Sequence, residues 1–156
     1  MENIIWAASL WLLVFIIIPM ERIRQIWPAA LLAAVWMFIL NYIFISLGYY
    51  QFTRYIVTIG GVPLFHLIGS AAGGVLLINW VGRSSLIKVL IVVVFAGLLN
   101  LASTLFMMLG AFKMLDGFNH VLHFSINVAG VSLLVWLSLA LLGEERVYEG
   151  NKTRYI

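Results

Sequence analysis

The run from Lys88 to Phe112, KVLIVVVFAGLLNLASTLFMMLGAF, holds one charged residue, at its first position, and no proline. A helix crossing a bilayer needs about 20 mostly apolar residues, and this run is long enough. Its apolar residues are continuous rather than alternating, so it does not read as a strand with one polar face. Inside lipid a sheet must also close into a barrel to satisfy its backbone, and a helix has no such requirement.

Working outward, four further segments have the same character: Ile4 to Met20, Trp27 to Gly48, Val62 to Val81 and Phe118 to Leu142. The connections between them are short, with no low-complexity tract. Composition agrees, since 64% of the 156 residues are apolar and only 10% are charged. Soluble domains carry about 25% charged residues, so lipid is the expected solvent for most of this surface. The predicted fold is an all-α polytopic bundle of five spans in a single membrane domain, residues 1–156, ending in a tail from Glu144 to Ile156.

The cations set the expected orientation. Arg22, Arg24, Arg83, Lys88, Arg146, Lys152 and Arg154 fall at one end of the spans, and Arg54 and Lys113 at the other. The positive-inside rule then places the N-terminus outside and the tail in the cytoplasm. Met-Glu-Asn at the start lacks the basic region of a secretory signal, so the first span is expected to be an uncleaved anchor. Topology thus accounts for the net charge of +3 without a nucleic-acid partner. The expected location is a bacterial cytoplasmic (inner) membrane. Trp27, Trp80, Tyr49, Tyr50 and Tyr55 lie near span ends and read as interfacial anchors.

There are no cysteines, which excludes disulfides, thiolate metal sites and thiol catalysis. No Gly-x-Ser-x-Gly elbow, phosphate loop or His-Glu-x-x-His pattern occurs, so a non-enzymatic role is expected. Polar residues inside spans should face other helices, because lipid offers them no partner. On the third span His66, Gly69, Ser70 and Gly73 share a face, and Gly69 with Gly73 suggests close packing or a homo-oligomer. Asn41 on the second span, and Asn100, Ser103 and Thr104 on the fourth, lie on similar small-residue stripes.

The fifth span opens on Asp116-Gly117-Phe118-Asn119-His120, with His123 and Asn127 following. A helix reaching back to Asp116 would align Asp116, His120, His123 and Asn127; alternatively Asp116 is an N-cap. With 1.5 Å rise per residue, Asn41, His66, Thr104 and His123 lie about 6 to 12 Å from the outer boundary. The expected site is therefore a polar pocket opening outward, lined by His66, Ser70, Asn41, Asn100, Thr104, His120, His123 and Asn127. It would bind or carry a small molecule or ion. Asp116, His120, His123 and His66 are the candidate metal ligands, and paired histidines leave haem or a quinone as the alternative, in an electron-transfer subunit. A third reading is a structural accessory subunit in which the polar stripes only lock helices together.

The size and five-span plan resemble the tryptophan-rich sensory protein/translocator family. Trp27-Pro28 and Asn79-Trp80 are isolated dipeptides rather than that family's motifs, so no residue role is carried over. No internal repeat is evident in the sequence.

Overall fold

The computed structural model describes residues 2–115 and 117–149. The molecule is mostly helical. Three helices are long and apolar enough to cross a membrane: α2 (Met20–Ser46), α4 (Ser85–Met108) and α5 (His120–Leu142). Two shorter apolar helices, α1 (Glu2–Ile17) and α3 (Leu64–Trp80), occupy the remaining predicted segments, and a short α6 (Glu144–Glu149) follows α5. At 16 and 17 residues, α1 and α3 are about 24 and 26 Å long, a little less than a hydrocarbon core of about 30 Å.

The second helix begins earlier than expected. The break falls at Ile18-Pro19, Pro19 stands before the first turn, and Arg22, Arg24 and Pro28 all lie inside α2. Proline fixes its own φ and lacks an N–H, and it disfavours α geometry in the residue before it, so it separates the two apolar helices better than the arginines do. At the other end α5 starts at His120. Its N-cap is Asn119, whose side chain accepts from the amides of Val121 and Leu122 at 3.0 Å. The expected helical stripe back to Asp116 is thus broken: residue 117 has φ +84, which ends helical geometry, and Asp116 itself lies outside the described residues.

Helix α3 is central, packed between α1 and α2, while α5 packs on α4 and α2. The buried core at this level is Ile26, Ala29, Ala33, Ala72, Val75, Leu77, Ile78, Val131 and Val135. Small residues set the closest approaches. A β-carbon on Gly69 would lie 2.8 Å from the Trp6 ring of α1, and one on Gly130 would lie 2.9 Å from Leu40 of α2. Gly69 is therefore taken up within the chain. Of the glycine pair expected to form a homo-oligomeric face, only Gly73 keeps open space before it.

Two three-residue strands, β1 (Tyr50–Phe52) and β4 (Phe112–Met114), pair antiparallel across one end of the bundle, and β2 (Thr58–Ile59) with β3 (Val62–Pro63) form a hairpin before α3. The predicted fourth span ran through Phe112, but α4 stops at Met108 and the chain turns into β4. The cause is a glycine cap. Gly48 after α2 and Gly110 after α4 both have positive φ, +74 and +70. Tyr49 then donates to the Phe44 carbonyl, and Ala111 to the Phe106 carbonyl, in the same wide helix-ending turn.

These parallels extend into the sheet. Tyr50 pairs with Met114, Gln51 with Lys113, and Phe52 with Phe112. Thr53 donates to Ala111, and Leu115 to Tyr49. Matching Gly48 with Gly110 and counting forward, every one of these bonds maps onto its partner by exchange of the two segments. The end of α2 with β1 and the end of α4 with β4 are thus related by a local two-fold axis through the Gln51/Lys113 pair. The repeat lies mainly in backbone geometry, and the sequence marks it only by a short Leu-Gly-x-aromatic run at each helix end. Helix α1 stands outside it.

Among the described residues, Arg22, Arg24, Arg83, Lys88 and Arg146 gather at the end opposite the sheet, and Arg54 and Lys113 at the sheet end. At the basic end Arg22, 7% exposed, donates to the carbonyls of Arg146 and Val147, the latter at 2.7 Å. Those carbonyls belong to the last turn of α6, where helix carbonyls call for partners from outside the helix, and the guanidinium caps them. Arg83 and Lys88 lie over the ring of buried Tyr148, 5.5 and 5.2 Å from its centre.

Candidate functional site

The interior polar groups lie just beneath the β1/β4 sheet. Alternation along β1 turns Tyr50 and Phe52 inward and Gln51 outward. With Phe106, Ala111, Phe112 and Phe118 they form a second buried cluster. Aromatic rings therefore close this end, where the sequence suggested an open mouth.

One group of expected site residues does assemble. His123 of α5 reaches α4, its Nδ1 standing 2.9 Å from Asn100 Oδ1 and 3.2 Å from Ser103 Oγ. Ser103 spends its proton on the Asn100 backbone carbonyl at 2.8 Å, so its oxygen is left to accept. Two acceptors facing Nδ1 place the imidazole proton there. Nε2 is then the acceptor, and Asn127 Nδ2 lies 3.5 Å from it on the same helix. The arrangement holds a neutral imidazole between two helices and uses both of its nitrogens.

Asn41 joins a second group. It is 5% exposed, donates to the Met37 carbonyl at 2.8 Å and accepts from the Tyr50 hydroxyl at 2.8 Å. Burial pushes the Tyr50 phenol well above its ordinary value, because a phenolate there would lose water. Tyr50 read as an interfacial anchor from the sequence; instead it is 6% exposed and bonds the interior. Trp27 and Tyr55, each 54% exposed, keep positions suited to anchoring.

His66 belongs to neither group. Its ring is 5.0 Å from that of Phe52, and its Nδ1 is buried with no hydrogen-bond partner among the described residues. Between His66 and His123 stand the rings of Phe52, Phe112 and Tyr50. A porphyrin ligated by both histidines would need the space these rings fill. His120 is exposed and lines a shallow surface depression with Asn119, Val121, Leu122 and Ser125. Of the expected metal set, Asp116 lies outside the described residues, and among the described residues no three His, Asp or Glu are grouped to hold an ion. Ser70 and Thr104 each donate to a carbonyl of their own helix, at 2.8 and 2.9 Å, which reduces what they can offer a ligand.

Ser103 and Tyr50 are the participants the site prediction lacked. Ser103 already stood on the small-residue stripe of its helix. For Tyr50 the signal is the pair of similar runs Leu47-Gly48-Tyr49-Tyr50 and Leu109-Gly110-Ala111-Phe112, each a glycine-capped helix end turning into an aromatic strand. Comparison with family models, curated proteins and solved structures gives no match.

Proposed function

We propose that the chain is a non-enzymatic, five-span protein of a bacterial cytoplasmic membrane that binds or carries a hydrogen-bonding small molecule or ion beside His66. The observation that carries this reading is the buried Nδ1 of His66, which has no hydrogen-bond partner among the described residues. An unsatisfied buried polar atom costs about 1–3 kcal/mol, and a bound ligand is one way to recover it. The like-turned ends of α2 and α4, which meet above interior polar groups, also support a carrier, since many are built from paired repeats with the site between them.

Two ends of unequal basicity support an N-terminus outside and α6 in the cytoplasm. The cysteine-free chain allows single cysteines to be labelled without background: Thr53→Cys is expected to react from outside intact cells and Ser84→Cys only after lysis. Reaction of both from the same side would reject five spans in this orientation.

For the site, His66→Leu is the discriminating variant. If His66 holds a ligand, mass spectrometry of wild-type protein in mild detergent finds a small molecule or ion that the variant loses. If nothing is lost and the variant is more stable, the ligand reading fails. A structural accessory role would then stand, favoured by the His123, Asn100, Ser103 and Asn127 network, whose hydrogen bonds run between groups of the chain itself.

A further inference from the structure

At the sheet end α1 and α4 do not close on one another. Glu2, Ile5, Trp6 and Ser9 of α1 face Ala102, Leu105, Phe106 and Leu109 of α4 across a cleft of about 200 Å³. On each helix these positions recur as one continuous face. Trp6 meets Phe106 edge-on, ring centres 5.9 Å apart, and closes the back. Small side chains, Ser9 and Ala102, mark its deeper end, and seven residues of rise make it about 10 Å long. Ile5, Leu105 and Leu109 on its rim are more than half exposed.

The mouth carries charge. Arg54 bridges the two helix ends, with its guanidinium 3.4 Å from Glu2 and close by Gly110, and its side chain is 61% exposed. An apolar slot one chain wide, opening sideways from apolar helices and ending under an exposed guanidinium, matches an amphiphile with an anionic group at one end. An empty slot would leave its lining without contacts.

We infer that this cleft seats one acyl chain of a membrane glycerophospholipid, whose phosphate pairs with Arg54. The inference rests on α1 lying within the bilayer. It is independent of any ligand at His66.

Native mass spectrometry of the full chain, extracted in dodecyl maltoside and supplied with phosphatidylethanolamine, tests it. Wild-type protein should retain one phospholipid. Ser9→Trp, an exposed position that fills the slot, should abolish that adduct, while Ala8→Trp, exposed on the same helix but outside the cleft, should keep it. Arg54→Gln should lower retention about fivefold. Thermal unfolding checks that all four proteins are folded, and Leu105→Trp replaces Ser9→Trp if that variant is not. Equal retention in the slot-filling variant and Ala8→Trp would overturn the proposal, as would a cleft holding only detergent when phospholipid is supplied.

Discussion

Gly74 of α3 lies directly against Ala33 of α2: a β-carbon on residue 74 would overlap the Ala33 methyl and stand 2.9 Å from the Ala29 carbonyl oxygen. Neither obstacle is the end of a flexible side chain, so neither can swing away. Gly74→Ala should therefore force the helices apart and cost about 1–3 kcal/mol. Its neighbour is the control. Gly73 has nothing within 4 Å of its missing β-carbon, and Gly73→Ala should be neutral or stabilise by up to about 1 kcal/mol through helix propensity. Unfolding in mixed micelles, compared across the two variants, measures the difference.

Asn100 and His123 should be energetically coupled. A double-mutant cycle with Asn100→Ala and His123→Ala is expected to give about 0.6–1.7 kcal/mol, the range for hydrogen bonds between helices in lipid. Nitrogen NMR of His123 should show the proton on Nδ1. A proton on Nε2 would contradict the arrangement of acceptors around the ring.

Tyr50 makes alkaline stability a direct test. Its folded phenol ionises well above the ordinary value of 10.0, whereas the unfolded phenol ionises near about 10. Below that pH both states hold the proton and the contribution is complete; as pH rises further the unfolded state releases it first, so stability falls. Tyr50→Phe should lose about 1 kcal/mol at neutral pH, by leaving Asn41 Oδ1 without its donor. Its stability should then decline less steeply than wild type above pH 10. Parallel curves would reject the buried phenol.

Arg22 should decide whether α6 stays docked. Replacing it with Gln is expected to cost about 2 kcal/mol and to speed amide exchange across residues 144–149. Arg22→Lys should rescue little, because a single ammonium cannot span the Arg146 and Val147 carbonyls as the planar guanidinium does. Hydrogen exchange followed by mass spectrometry reads both variants.

Much of the architecture is written in apolar run length. All five apolar segments correspond to helices, because a continuous apolar run can satisfy its backbone in lipid only by coiling. Their ends were less legible. Arg22 and Arg24 read as loop, yet charged side chains fit a helix whose first turns lie at an interface, and Pro19 set the break instead. The strands β1 and β4 were hidden because three residues are too few to display alternation, and their pairing joins segments far apart in the chain. His123 with Asn100 was legible from the polar, small-residue faces of their helices. The separation of His66 was not, because nothing local to His66 indicates that Phe52 and Phe112 fold in between.

The local two-fold axis through Gln51 and Lys113 bears on how the interior groups relate to one another. By its register Asn41 corresponds to Ser103, and Tyr50 to Phe112. One half anchors its amide on a phenol; the other anchors its hydroxyl on an imidazole. The backbone is equivalent at these positions while the chemistry differs, so the polar groups are not two copies of one site. The half containing α5 holds its histidine by hydrogen bonds across to α4, and the half containing α3 leaves Nδ1 of its own without a partner among the described residues.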